Sequence, residues 1–344
     1  LSIPFLSLQQ RDFKMLLVFS GFTAPALLNP SVQLIQFVLD FKYLACILFV
    51  RYFVEYIEYY TLNKVFQGVV LCNFVFVVCE LLFPGVYQGL FSGDYNASFE
   101  IAGLRFYRAN GLFNHPGELA LFSTLMLVWF FYHGQEPADK YIYKLLSCFS
   151  LLVTFQRAEI LAVIIAVLIA YVIRNNKENG KYAVYLFMTT FIGLFVYYSF
   201  LDNVVLDVAD NARSVLYKGS LLVFKENPFF GVGPGLFGSH SSIGNYLVYD
   251  KLGFENFWWF NQDRYITDTF WPKVVGEYGL FGVLGWFYLI KKSYEDQENM
   301  VSLCVVMIIF FVSFQAPIYL NVKLMLVSLA VMYVKKNSGR SLLS

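Results

Sequence analysis

Along this chain the apolar positions come in long unbroken runs, without the strict alternation of a half-buried strand. A helical membrane span needs about 17 to 25 mostly apolar residues. Ten stretches read as crossings, near 14–28, 32–50, 65–83, 117–133, 144–156, 158–173, 182–200, 273–290, 300–316 and 319–334. The second has the softest edges: Asp40 and Lys42 fall inside it, and Arg51, Glu55 and Glu58 follow, so the span can slide C-terminally. The predicted fold is all-α, a polytopic transmembrane helical bundle of about ten spans forming a single integral membrane domain over 1–344.

The polar positions collect between the runs, and their sign sets the orientation. Arg174, Lys177 and Lys181, then Lys291 and Lys292, then Lys335, Lys336 and Arg340 fall on one side when the spans are counted in order, joined by Arg11, Arg51, Lys64 and Lys140. Short basic connections face the cytoplasm, so both termini are expected there. No cleavable signal peptide is recognisable behind the opening Leu1, which leaves room for a missing N-terminal piece.

Two long segments are left on the outer face, 84–116 and 201–272. Loops of that length are uncommon unless they serve a function. In the larger one, Val215, Leu216, Leu221, Leu222 and Phe224 interleave with Arg213, Lys218 and Lys225, a pattern suited to an amphipathic helix in the interface plane. "NPFFGVGPGLF" (227–237) follows, and then "FENFWWF" (254–260), whose Trp258 and Trp259 suit a headgroup-level aromatic belt.

Composition narrows the class. Hydrophobic residues make up 58% of the chain and charged ones 14%, against about 25% charged in soluble domains, and the mean hydropathy is +0.58. A formal net charge of +1 gives no basic face for nucleic acid. The five cysteines sit in apolar stretches without metal-ligand spacing and read as small hydrophobes.

Against this background a few polar residues stand out. Arg157, in "TFQRAEI", lies between two apolar runs at the outer edge; it is either a snorkelling anchor or a functional cation. Arg105 and Arg108 precede a helix start at which Asn114 or His115 can cap and Pro116 suits the first turn. That arrangement favours an anion, or is ordinary capping beside surface charge. His115 and Glu118 can share a helix face, but without further ligands no metal site is expected. The glycine-rich turn is no cytosolic nucleotide cradle, because it lies outside and no Gly-Lys-Ser/Thr follows. Gly231, Gly233 and Gly235 permit positive φ, while Pro228 and Pro234 stiffen the turn. It is expected to shape a groove, with diphosphate binding by its amides as the alternative.

Four motifs occur in order: "RANGLFNHPGELALF", "TFQRAEILAVII", "NPFFGVGPGLF" and "TDTFWPKVVGEYGLFG". Together, over about 105–290, they resemble the O-antigen ligase and O-antigen polymerase superfamily of bacterial membrane glycosyltransferases. The resemblance implies a helical bundle in the bacterial cytoplasmic membrane, without a cofactor, acting at its outer face on undecaprenyl-diphosphate-linked oligosaccharide. It implies as pathway partners a flippase and a chain-length regulator. It makes Arg157 the counterpart of the family's Ser-Arg arginine, with Gln156 where Ser usually stands, and it matches Arg108 and Arg213 to two further arginines. Arg105, His115, Arg264 and Glu277 join Arg108 as expected substrate-binding residues. In the ligases a His-Asn pair stands nine residues before the last motif's Glu; counting back from Glu277 gives Asp268 and then Thr269. That departure points to a polymerase of O-antigen, capsule or exopolysaccharide rather than a ligase.

The chemistry suits such residues without a metal. A lipid diphosphate is already a stable leaving anion, so the site must hold its charge and position an acceptor hydroxyl. Arginine's planar fork pairs two phosphate oxygens, and Asp268 is either the general base or a cap for the helix that follows. The rival class is a transporter, a lipid-linked sugar flippase or an ion-coupled carrier. Carriers show internal repeats and polar groups at the midplane, and here only Asp40 and Lys42 are candidates for such charge.

Overall fold

Helices form where the apolar runs are long, and glycine and proline decide where they stop or break. The computed structural model describes residues 10–24, 31, 34–53, 57–87, 89–90, 98–101, 104–133, 137–156, 159–164, 211–295, 300–314, 316 and 321–334. In chain order the helices are α1 (Gln10–Thr23), α2 (Leu34–Phe53), α3 (Tyr59–Leu82), α4 (Pro84–Tyr87), α5 (Pro116–His133), α6 (Pro137–Val153), α7 (Ala212–Glu226), α8 (Leu247–Lys251), α9 (Phe270–Glu295), α10 (Met300–Val312) and α11 (Val322–Tyr333). A hairpin of β1 (Ser98–Ile101) and β2 (Leu104–Tyr107) stands between α4 and α5. The fold is helical, as expected, with this one addition inside the 84–116 segment.

Among the described residues, two helices, Tyr59–Leu82 and Phe270–Ser293, are long and apolar enough to cross a membrane; four shorter apolar helices are Pro116–Tyr132, Tyr141–Val153, Val301–Val312 and Val322–Tyr333. Of the crossings expected near 158–173 and 182–200, only residues 159–164, which are helical, are described. α2 does not slide away from its charges: it is helical across Asp40, which is buried.

Two compact units divide the chain, one of residues 1–48, 172–296 and 313–322, the other of 49–171, 297–312 and 323–344. In the first, α1 packs on α9, with Phe22 edge-on to Tyr278 at 5.5 Å. α2 adds Tyr43, whose ring lies 5.1 Å from that of Trp286. α7 starts where the Asn211 side chain accepts the Ser214 N–H at 3.0 Å, a conventional N-cap. Its buried face, Val215, Leu216, Val223 and Phe224, packs into the protein. The chain after it folds around its own aromatic core of Phe237, Tyr249, Phe254, Phe257, Trp259 and Phe260. Trp259 is therefore a core residue and leaves the expected aromatic belt, whereas its neighbour Trp258 is exposed.

α9 breaks at Gly279, with φ 59° and ψ −152°, a combination essentially restricted to glycine. The broken turn frees backbone groups in an apolar setting, where each must find a partner inside the protein. The glycine-rich turn partners four of them. Val232 N–H bonds Gly276 C=O at 2.9 Å and Gly233 N–H bonds Glu277 C=O at 2.9 Å. Beyond the break, Leu280 N–H bonds Pro228 C=O at 2.8 Å and Phe281 N–H bonds Phe229 C=O at 3.1 Å. Gly231, at φ 66°, comes so near that a Cβ there would strike the Glu277 backbone.

The second unit contains α3, α5, α6 and α10. Trp129 on α5 is buried, donates to Asn63 Oδ1 at 2.9 Å and lies edge-on to Phe66 at 5.1 Å. Tyr132 and Cys304, 3.8 Å apart, link α5 to α10.

Gly279→Ala should destabilise the protein by about 1–3 kcal/mol from the backbone conformation alone, and more because the new Cβ would lie 2.7 Å from the Phe229 carbonyl carbon. Gly68→Ala, on α3 with nothing within 4 Å of its added Cβ, should be neutral or slightly stabilising. Thermal unfolding of the detergent-purified protein compares the two; equal melting temperatures would remove the special role of Gly279.

Candidate functional site

In the first unit, charges meet where α2 and α9 face each other. Asp40 accepts hydrogen bonds from Lys273 Nζ and the Tyr278 hydroxyl, and from Gln36 Nε2 at 2.8 Å. Lys273 also lies 3.8 Å from Glu277 Oε2, one helical turn on. Glu277 Oε1 accepts the Gly235 N–H at 2.7 Å and the Phe237 N–H at 3.4 Å. Gln36 Oε1 receives the Ser241 N–H at 3.3 Å, so α2 too is tied to the turn region. Asp40, Lys273 and Glu277 are all buried. Buried charges of this kind hold only when paired, and such pairs fix geometry more than they add stability.

This network places the loop residues. Gly233, Pro234 and Gly235 are buried, and the N–H groups of Val232, Gly233 and Gly235 bond to α9. Those amides are thus engaged with protein rather than presented to a diphosphate. Glu277, expected at the substrate, holds the turn from beneath.

Two of the expected catalytic residues do come together. Arg213, in the first turn of α7, has Nη2 3.4 Å from Asp268 Oδ2, with side chains 44% and 35% exposed. α9 begins at Phe270, so the residue just before the helix is Thr269, and Asp268 is not its cap. The Asp268 backbone N–H bonds Tyr265 C=O at 3.1 Å. Burial raises the Asp268 carboxyl above its ordinary value, and the Arg213 guanidinium pulls it back down. A carboxylate held beside a cation and still reachable from solvent is suited to accept a proton. One turn along α7 from Arg213, Tyr217 donates to Phe314 C=O at 2.7 Å. Arg264 is exposed on the same approach to α9.

Arg108 and His115 belong to the second unit. The Ala109 N–H bonds Val153 C=O at 3.2 Å, joining the irregular segment after β2 to the end of α6, four residues before Arg157. Arg157 itself lies outside the described residues. His115 settles the choice of cap: its Nδ1 accepts the Gly117 N–H at 3.0 Å at the start of α5. Glu159 Oε1 approaches from the other side, 3.6 Å from where a Gly117 Cβ would stand. Arg105 is on β2, in register opposite Glu100. α3 anchors the intervening segment: Glu80 Oε2 accepts the N–H groups of Asn110 and Gly111 at 2.8 and 2.9 Å, and Asn73 Oδ1 accepts that of Leu112 at 3.1 Å.

Lys273, Glu80, Asn73 and Glu159 were missed in the sequence, although a polar or ionisable group inside an apolar run is itself a signal.

The family comparison falls on the heart of these elements: residues 142–287 match the family model described as O-antigen ligase. Over that segment the chain is similar to the O-antigen ligase family. No curated protein and no solved structure matches it. The matched O-antigen ligase segment runs from α6 into α9 and takes in Arg157, Arg213, the glycine-rich turn, Arg264, Asp268 and Glu277. Arg105, Arg108 and His115 precede it, so it is shorter than the 105–290 reach of the sequence motifs. The superfamily is one of membrane-associated, glycosyltransferase-like enzymes that act on lipid-linked oligosaccharides.

Glu277→Ala removes the acceptor for two turn amides and a buried partner of Lys273. Lys273 keeps Asp40 as its close partner, so the loss is that of the two amide acceptors, about 1–3 kcal/mol for each buried group left unsatisfied, and this variant should unfold at lower denaturant concentration. Glu277→Gln keeps an acceptor oxygen and should lose less. Denaturant titrations of both purified variants that coincide with the wild type would show that Glu277 does not hold the turn.

Proposed function

We propose that this chain is a polysaccharide polymerase that joins undecaprenyl-diphosphate-linked oligosaccharide repeat units at the outer face of the bacterial cytoplasmic membrane. The observation that carries the proposal is the Arg213–Asp268 contact, inside the segment that matches the O-antigen ligase family. An acceptor hydroxyl oxygen attacks the anomeric carbon of the lipid-linked glycan, and its proton passes to Asp268. The bond from that carbon to the diphosphate oxygen breaks, and undecaprenyl diphosphate leaves as an anion. Arg213, beside Asp268, stabilises the charge that develops there, and neither step calls for a metal or cofactor; Arg157 is proposed as a further catalytic arginine on the family resemblance. Arg264 and the Arg105, Arg108 and His115 group are assigned to the substrate. Asp268, where the ligases carry a His-Asn pair, favours polymerisation over transfer to a lipid acceptor.

The transporter reading draws on a different observation, the broken helix α9 beside the buried Asp40 and Lys273. Broken helices and buried charges also mark carriers. In this chain the break is filled by the glycine-rich turn, leaving its backbone groups no ion or substrate to coordinate. Proteoliposomes loaded with lipid-linked repeats separate the readings, since a polymerase lengthens the glycan and a carrier moves it unchanged.

In such an assay Asp268→Asn should bind the lipid-linked donor normally and slow transfer by about 10²–10⁴-fold, the range of a general base. Arg157→Lys should keep the charge, lose the fork and cut transfer sharply. The Asp268 carboxylate is the active form, so the rate should fall as pH drops through its pKa. Because Arg213 lowers that pKa, Arg213→Met should move the acid limb of the pH–rate profile to higher pH. Wild-type rates in both Asp268→Asn and Arg157→Lys, or an unmoved limb, would withdraw these roles.

A further inference from the structure

We infer that the exposed pair Trp258 and Tyr265 forms a glycan-binding ledge that seats a sugar ring of the lipid-linked oligosaccharide next to Arg213 and Asp268; this rests on the glycosyltransferase reading above. Adjacent tryptophans have opposite fates. Trp259 is 3% exposed in the loop's aromatic core, while Trp258 is 61% exposed and Tyr265 43%. Their rings stand edge to face, 6.5 Å apart at 84°, leaving an open corner of two aromatic walls.

The segment beneath is firmly built. Asp263 and Tyr265 adopt φ of 53° and 62°, uncommon for non-glycine residues and least expected for a bulky one. Such strain persists only where the surroundings over-determine it. Here the Arg264 N–H bonds Trp259 C=O at 2.9 Å, the Asp263 N–H bonds Phe260 C=O at 2.9 Å, and the Tyr246 hydroxyl bonds the Asp263 carboxylate. Ile266 is buried as a plug. The Tyr265 carbonyl then accepts the Asp268 N–H at 3.1 Å, so the ledge continues directly into the residue assigned to proton transfer.

The surroundings decide what sits there. A pyranose presents an apolar face of C–H bonds, which fits the electron-rich face of an aromatic ring, and a rim of hydroxyls that need donors and acceptors. Exposed Gln262 and Arg264 supply both. Trp258 is followed within a few residues by the polar run Asn261–Gln262–Asp263–Arg264, which offers further partners to sugar hydroxyls.

The test uses the full chain in nanodiscs and, as probe, the lipid-free oligosaccharide released from the host's own surface polysaccharide. Saturation-transfer NMR should show contact with the sugar C–H protons, and titration gives the affinity. Trp258→Ala should weaken binding about tenfold. Tyr265→Asn, in which Asn tolerates the left-handed backbone, should do the same, while Trp258→Phe retains most of the affinity. All three should melt like the wild type. Affinities unchanged in both Trp258→Ala and Tyr265→Asn, or no binding by the wild type, overturn the ledge. So does a bromolipid quenching difference between wild type and Trp258→Phe, which would put Trp258 in the bilayer. Loss of probe binding in these variants alongside products limited to single transfers would sink the polymerase reading and leave the ledge standing.

Discussion

A helix interrupted in an apolar environment has to complete its hydrogen bonding or it does not form. α9 is interrupted at Gly279, and the two carbonyls before the break and the two N–H groups after it are completed by residues 228–233. The buried Asp40, Lys273 and Glu277 are grouped beside that exchange. Because the turn is consumed in completing α9, α7 on one side of it and the aromatic loop on the other are held to the same helix. The Arg213–Asp268 contact joins the start of α7 to the residue two before α9. Proline fits the exchange because Pro228 and Pro234 are asked for carbonyls or for rigidity, and never for the N–H they lack.

Much of the fold was legible in the sequence because an apolar run long enough to span a membrane has few other uses. α3, α5, α9 and α10 fall close to the predicted runs, and α7 falls on the predicted amphipathic stretch. What could not be read is what depends on tertiary partners. Trp258 and Trp259 are chemically identical, and only the fold of 254–266 decides which enters the core. The glycine-rich turn announced its backbone freedom but not that a broken helix would use it. Asp40 looked like a reason to move α2, because its partner Lys273 lies 233 residues away. Among the site residues, the fold brings Arg213 and Asp268 into contact, and His115 Nδ1 caps the start of α5.

Three buried carboxylates are spent on backbone amides or on a cation, and two of them hold irregular backbone. Glu277 holds the turn, Glu80 holds the bend after β2, and Asp40 holds Lys273 and Tyr278. A carboxylate that accepts several donors is anchored by directional contacts, which apolar packing alone lacks. Irregular backbone is thereby given a unique conformation within a largely greasy protein.

The two anchors on α3 are seven residues apart, Asn73 and Glu80, which is two turns of helix and places them on one face. α3 therefore works as a ruler for the segment 110–112. Inserting a single residue between them would swing one anchor about 100° around the helix axis, and the ruler would read at one mark only. The spacing of this helix is a fixed length in an otherwise forgiving apolar sequence, where one apolar residue substitutes easily for another but a shift in phase does not.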